Sequence, residues 1–152
     1  MSDSVLKVED LKIHFPLKAT FDDRIHKRPP KTVKAVDGVS FQIRQGETLA
    51  LVGESGCGKT TIGKALVRLN TPTDGHIYYK GDDIFLQDRR AYAKKVQYIF
   101  QDPYSSLNPQ MSVIDIVRRP LEIFDLYPRQ QREKRALELL NMVGIASNQS
   151  YR

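Results

Sequence analysis

Eight consecutive residues, Gly53-Glu54-Ser55-Gly56-Cys57-Gly58-Lys59-Thr60, match the spacing G-x-x-x-x-G-K-[ST] that cradles phosphate groups. The chemistry follows from the residue types. Glycines at 53, 56 and 58 let the backbone turn tightly and approach a ligand closely. Successive N–H groups and the positive end of the following helix can then converge on phosphate oxygens. Lys59 brings a mobile point charge to the β- and γ-phosphates, and the Thr60 hydroxyl can ligate Mg²⁺. Thr61 offers a second hydroxyl near the α-phosphate. Hydrogen bonds to charged groups contribute about 1.5–3 kcal/mol each, so several together support micromolar binding of a nucleoside triphosphate. Cys57 is a small filler of the loop first and a candidate reactive thiol second. A glycine-rich turn with a solvated lysine is the alternative that these eight residues leave open by themselves.

Such a loop must be held between a strand and a helix. Thr48-Leu49-Ala50-Leu51-Val52 is a short apolar run that predicts a buried parallel strand, entered by a turn at Gly46. Ile62, Ala65, Leu66 and Leu69 recur at i, i+3, i+4 and i+7, which predicts a helix with one buried face, stopped by Asn70-Thr71-Pro72. Upstream, Leu11, Ile13 and Phe15 alternate with Lys12 and His14, and Val39-Ser40-Phe41-Gln42-Ile43 alternates again, so an antiparallel layer is expected. Downstream, Thr73-Asp74-Gly75 predicts a turn and His76-Ile77-Tyr78-Tyr79-Lys80 a strand closed by Gly81-Asp82. A short helix is expected over 86–95, and Val96-Gln97-Tyr98-Ile99-Phe100 predicts a further strand. Residues 101–109 read as a loop at a strand's C-terminal end, where α/β sheets place ligand chemistry. The remainder is predicted helical. Ser112 and Asp115 resemble a capping box ahead of Val117, Leu121 and Phe124, with Pro120 expected to kink or break that helix. Pro128 suits the first turn of another, with Ala136, Leu139, Leu140 and Val143 on one face and Gly144 at its end.

Composition bounds the rest. The 152 residues are 40% hydrophobic and 28% charged, ordinary values for a globular domain. No apolar run approaches the length of a membrane span and the first residues begin no signal peptide, so a cytoplasmic protein is expected. The lone cysteine, Cys57, excludes an internal disulfide framework. Net charge is +6, and Lys18, Arg24, Lys27, Arg28, Lys31 and Lys34 face only Asp22 and Asp23 within 16–34, a local excess of +4. That stretch is a solvated surface loop, as Pro29-Pro30 suggests, or a contact for nucleic acid or a membrane surface. It has no aromatic interleaving and no recognition helix, so no nucleic-acid partner is expected. His14, His26 and His76 lie far apart without metal-ligand spacing. There is no internal repeat.

Two further stretches join the phosphate loop: Lys34-Ala35-Val36-Asp37-Gly38-Val39-Ser40-Phe41 ahead of it and Phe100-Gln101-Asp102-Pro103-Tyr104-Ser105-Ser106-Leu107-Asn108-Pro109 behind it. With them the chain closely resembles the ATP-binding subunit of an ABC transporter, and the second stretch resembles that of the oligopeptide and dipeptide importer branch. The resemblance runs from about Leu6 to the last residue. It implies a P-loop NTPase core of α/β class with an antiparallel β layer over 1–110, and the start of a helical subdomain over 111–152. ATP and Mg²⁺ are the cofactors it implies, held by the loop from Gly53 to Thr61 and by Gln101. Gln101 falls where the family's glutamine approaches Mg²⁺ and the attacking water, a part suited to a neutral amide that orients water without competing as a base. A loop glutamine bonded to backbone is its alternative. Phe15 best matches the aromatic that stacks on adenine, an interaction of about 1–3 kcal/mol per base, although it can equally continue the apolar face of its strand. Phe21 is a second candidate. Tyr104 and Leu107 either touch membrane subunits or pack the loop internally.

Nothing in the chain resembles the family's LSGGQ signature, its acidic strand with the catalytic glutamate, or its switch histidine, which lie further on in the family. The resemblance therefore implies an N-terminal portion that lacks a general base and the strand beside the one preceding the loop. The function implied is ATP binding and hydrolysis coupled to peptide uptake, on the cytoplasmic face of the membrane. The implied partners are transmembrane permease subunits, a second ABC ATPase subunit and, indirectly, an extracytoplasmic peptide-binding protein. This portion alone is expected to turn over no ATP. The alternative is an ABC-type ATPase module of a repair or translation factor. A small phosphotransferase fits poorly, because the loop after Phe100 offers no acidic base for an acceptor.

Overall fold

Alternation of apolar and polar side chains builds the sheet of the computed structural model, which describes residues 4–17 and 31–146. Most of the basic loop, including Phe21 and His26, lies outside the described residues, as do residues 1–3 and 147–152. Strands β1 (Ser4–Pro16) and β2 (Thr32–Arg44) are each 13 residues long, well beyond the stretches that alternate cleanly. β1 lies between β2 and β3 (Asp74–Tyr79), and the two-residue β4 (Asp82–Asp83) completes the order β2-β1-β3-β4, with every pairing antiparallel. The antiparallel layer is thus present. β3 begins at Asp74, so the turn expected over 73–75 is partly strand.

The inward face of β1 changes phase midway. Leu6 and Val8 are buried, and so are Leu11 and Ile13, which a strict period of two would point outward. A bulge accounts for this: the register shifts between Val8 and Leu11, Asp10 takes φ 44°, and its N–H donates to Ser40 Oγ at 2.9 Å. One extra residue thereby keeps both halves of the strand facing one core with Val36 and Ile77.

Helix α1 (Lys59–Leu66) lays Ile62 and Ala65 on that core. It stops one turn before the apolar spacing predicts. Arg68 turns left-handed at φ 60°, its N–H donating to the Ala65 carbonyl at 2.9 Å and that of Leu69 to Lys64 at 2.8 Å. Leu69 consequently faces solvent instead of extending the buried face. The unfavourable Arg68 backbone is held by its guanidinium, which donates to the Gln87 carbonyl at 2.9 Å and lies 5.5 Å over the Phe85 ring. Helix α2 (Arg89–Ala93) is capped by Asp88, whose carboxylate accepts the Ala91 N–H at 2.7 Å. Its Tyr92 is buried edge-on to Tyr79 and donates its hydroxyl to the Leu66 carbonyl at 2.7 Å. Burial pushes this phenol up to about 12.

Two expected strands are absent. Residues 48–52 and 96–100 carry no ladder, and Val52 and Ile99 are 93% and 89% exposed. A strand exists only as a member of a ladder, and among the described residues no neighbour pairs with either run. The parallel part of the expected core is therefore not formed.

The chain divides into two units, Met1–Tyr98 and Ile99–Arg152. In the second, α3 (Val113–Ile123) and α4 (Arg129–Met142) bury Ile114, Ala136 and Leu140 against one another. The Ser112 hydroxyl accepts the Asp115 N–H at 3.3 Å, the forward half of a capping box, and donates to the Asp115 carboxylate at 2.6 Å, which takes the hydroxyl in place of the Ser112 N–H. Of the kink or break expected at Pro120, the break does not occur: α3 runs on to Ile123 and closes with the Phe124 N–H on the Pro120 carbonyl at 3.0 Å. Pro128 lies just outside α4, as its N-cap. Val143 is exposed and Leu137 packs inward in its place, because α4 ends at Met142. Gly144, at φ 81°, sends its N–H to the Asn141 carbonyl at 3.0 Å while Ile145 bonds back to Leu140 at 3.0 Å.

Candidate functional site

Gly58 joins the phosphate loop to α1 and to the sheet. Its φ of +95° lies in the left-handed region, and a Cβ placed there would stand 2.3 Å from the Ala35 carbonyl oxygen. Only glycine permits that approach. β2 thus backs the loop through Ala35 and Val36, a contact that the sequence spacing did not reveal. A crowded loop glycine implies some backbone neighbour, but nothing in the motif names which one.

As N-cap of α1, Gly58 brings no capping side chain, and the first internal bond of the helix runs from the Ile62 N–H to the Gly58 carbonyl at 2.9 Å. The amides of Lys59, Thr60 and Thr61 have no partner among the described residues. Free donors at a helix start, reinforced by the helix dipole, form an anion site. The Lys59 ammonium donates to the carbonyls of Gly53 at 2.8 Å and Glu54 at 2.6 Å, and to Cys57 Sγ at 3.4 Å. Those three bonds draw 53–57 into a collar in front of α1. Glu54, Ser55, Gly56 and Cys57 are exposed along it. Thr60 is exposed in the first helical turn, whereas Thr61 is half-buried.

Phe15 lies at the far end of β1, paired with Val33 of β2. At 43% exposure it differs from Leu11 and Ile13, so the buried face of β1 stops before it. Val33 is two residues from Ala35, about 7 Å along a strand, and Ala35 is the residue that touches Gly58. The first unit therefore gathers Phe15 and residues 53–61 at one end. Gln101 belongs to the second unit, where it is exposed. The turn behind it is held by Asp102, whose carboxylate accepts the N–H groups of Tyr104 at 3.1 Å and Ser105 at 3.3 Å. Tyr104 and Leu107 are exposed on that turn rather than packed within it.

The remaining polar groups are engaged elsewhere. His14 pairs with Asp37 at 2.8 Å and His76 with Asp83 at 3.0 Å. Lys34, and then His14, hold the Asp37 carboxyl below the usual carboxylate range. Among the described residues no cluster of His, Cys, Asp or Glu could hold a metal ion. Exposed side-chain oxygens on the loop are those of Glu54, Ser55 and Thr60, and the Thr60 hydroxyl, at the start of α1, could hold Mg²⁺, an ion that keeps several waters and binds through phosphates. A cavity of about 470 Å³ beside Val8 and Phe41 has no loop residue in its lining, nor has one of about 540 Å³ beside Tyr127 and Arg135.

Known proteins resemble this chain in sequence and fold. The family described as "ABC transporter" matches residues 36–151. A putative oligopeptide transport ATP-binding protein of Bacillus subtilis, YkfD, is 48% identical over 145 residues, covering 93% of this chain and 41% of the relative. The dipeptide transport ATP-binding protein DppF of Escherichia coli is 41% identical over 148 residues, 95% of this chain and 43% of that protein. A probable peptide ABC transporter ATP-binding protein of Sinorhizobium fredii is 43% identical over 155 residues, 100% of this chain and 43% of its own length. The chain thus spans less than half the length of these curated relatives. Among solved structures, the ATP-binding cassette MJ0796, a dimer in a post-hydrolysis state bound to ADP and Pi, superposes with a TM-score of 0.73 at 22% identity, covering 97% of this chain and 60% of that one. No helix among the described residues is long and apolar enough to cross a membrane. By the match over 36–151, with the loop, cap and sheet described above, the chain belongs to the ABC transporter family.

Proposed function

We propose that the full-length protein carrying this chain binds ATP with Mg²⁺ at 53–61 and hydrolyses it to drive peptide uptake across the cytoplasmic membrane. The observation that carries the reading is the trio of unpartnered amides at 59–61, fronted by the Lys59 collar and set by the Gly58 contact with Ala35. These donors hold phosphate oxygens, and the Lys59 ammonium exchanges its carbonyl partners for the β- and γ-phosphates. The Thr60 hydroxyl would hold Mg²⁺, which when bound would neutralise charge on the phosphates. Phe15 and Val33 offer an apolar surface to the base, and Gln101 orients water at the γ-phosphate. Peptide as the cargo is supported by the names of the relatives, which are peptide, oligopeptide and dipeptide transport proteins.

The protein would work as one of two ATPase subunits at the cytoplasmic face, peripheral to transmembrane permease subunits supplied by an extracytoplasmic peptide-binding protein. Two measurements test this. The purified full-length protein should hydrolyse ATP, and Lys59→Ala should abolish turnover; unchanged turnover in that variant removes the phosphate-loop assignment. Cells lacking the gene should lose uptake of a labelled oligopeptide and regain it from the wild-type copy but not from Lys59→Ala. Undiminished uptake in the deletion strain rules out transport as the function.

A further inference from the structure

Within 84–101 the chain carries four cations, Arg89, Arg90, Lys94 and Lys95, against Asp88 alone. Helix α2 sorts them. Tyr92 turns inward, so Arg90 and Lys94, two residues to either side of it, fall on the opposite side of the helix. All four are exposed, and so is Lys80 on the turn between β3 and β4. Two of the ammoniums meet over one ring: Lys80 Nζ lies 5.7 Å and Lys95 Nζ 5.9 Å from the centroid of Tyr79. That ring is itself fixed by Tyr92, edge-on at 5.7 Å and bonded to the Leu66 carbonyl. Cation–π attraction offsets the repulsion of gathering like charges there, and the positive patch is anchored to the core of the first unit.

Beside the cations stand two leucines, Leu86 at 88% exposure and Leu69 at 50%. One exposed leucine is ordinary, but these two are held in place. Arg68, next to Leu69, donates to the Gln87 carbonyl at 2.9 Å, Gln87 Nε2 donates to the Asp82 carbonyl at 3.1 Å, and the Leu86 N–H donates to the Asp83 carbonyl at 3.2 Å. The turn therefore keeps Leu86 out in water three residues ahead of Arg89. Apolar side chains rimmed by cations suit a surface that is anionic outside and apolar just beneath. A nucleic acid offers the charge without the apolar layer, and α2, five residues long, is short for reading a groove.

We propose that the patch around α2, with Lys80, Arg89, Arg90, Lys94 and Lys95, lies on the anionic headgroups of a membrane surface, Leu86 entering the interface. The inference rests on the reading of a protein peripheral to the membrane and deepens it: the first unit touches lipid directly.

The test is co-sedimentation of the full-length protein with vesicles of phosphatidylcholine, alone or mixed equally with phosphatidylglycerol. Binding should require the anionic lipid and weaken about tenfold or more between ~0.1 and ~0.5 M salt. Arg89→Gln, Arg90→Gln, Lys94→Gln and Lys95→Gln together should lower it about a hundredfold or more, at roughly fivefold per charge. Leu86→Ser, at an exposed position that the fold does not need, should lower it about fivefold and leave the salt dependence as in wild type. Lys27→Gln with Arg28→Gln, in the basic stretch 16–34, should bind within about twofold of wild type. Equal binding to neutral vesicles overturns the proposal, as does full binding by the four-Gln protein or a loss confined to the Lys27 and Arg28 pair. Binding to a single-stranded RNA oligonucleotide with none to either vesicle assigns the cations to nucleic acid and overturns it too. A protein that hydrolyses ATP and supports peptide uptake but ignores vesicles loses the lipid contact and keeps the transport reading; one that binds anionic vesicles without turning over ATP does the reverse.

Discussion

The antiparallel sheet and the two apolar runs at 48–52 and 96–100 are built from the same kinds of residue, yet only the sheet is a sheet. Leu11, Ile13 and Ile77 are all but fully buried, while Val52 and Ile99 are almost wholly exposed. The difference is not apolar content. β1 has β2 on one side and β3 on the other, both supplied by described residues of this chain. The two runs have no such neighbour. Hydrophobic pattern selects which segments are able to be strands, and the presence of a partner decides which of them are. The phosphate loop lies between these cases: its leading run is unpaired, but its trailing helix and the β2 backbone at Ala35 hold it in place.

Substitutions can break or sharpen that contrast. The largest effect is expected in the sheet, where Ile77→Ala should cost about 2–5 kcal/mol in urea denaturation, the range for truncating a buried aliphatic. A cost below 1 kcal/mol would mean that the sheet is no better packed than the runs. Next is Gly58→Ala, whose Cβ meets the Ala35 carbonyl in a left-handed backbone; about 2–4 kcal/mol is expected, with nucleotide affinity reduced at least tenfold. Retained affinity would show that the β2 contact does not shape the loop.

Tyr92→Phe removes one hydrogen bond to Leu66 and should cost about 1 kcal/mol. It carries a pH signature as well. The folded-state phenol is raised to about 12 from 10.0, so its contribution is whole below pH 10 and declines as pH climbs toward 12. Over that window stability should fall by about 1.4 kcal/mol per pH unit more steeply in wild type than in Tyr92→Phe. Parallel curves would contradict burial of the phenol. Smallest is Val52→Ala, expected within about 0.5 kcal/mol of wild type for this chain. A cost like that of Ile77→Ala would show that the run is packed after all.

Legibility followed the range of the interactions. Local chemistry was readable: the Ser112 cap, the Gly144 terminus, the glycine loop and the alternation that names β1 and β2 all depend on residues within a few positions. Where distant residues decide, the sequence was silent or misleading. The bulge at Asp10 shifts the phase of β1 through Ser40, and α1 ends early because Arg68 finds Gln87 and Phe85. Pro120 was expected to kink or break α3; it does not break it, because proline costs a helix one bond and a local clash, set against the burial of Leu121 and Ile114. Within the candidate site, the spacing from Gly53 to Thr60 named the loop, whereas Phe15 and Gln101 are proposed on the resemblance alone. Ala35 carried no signal, because its contact with Gly58 joins segments far apart in sequence.

The central claim is that the loop and the start of α1 hold a nucleoside triphosphate. Titration of the 152-residue chain with fluorescent ATP and Mg²⁺, beside Lys59→Ala, tests it most directly. Saturable binding that weakens at least tenfold in Lys59→Ala is the result predicted. Equal binding by the two proteins, or none by the folded wild-type chain, would contradict it.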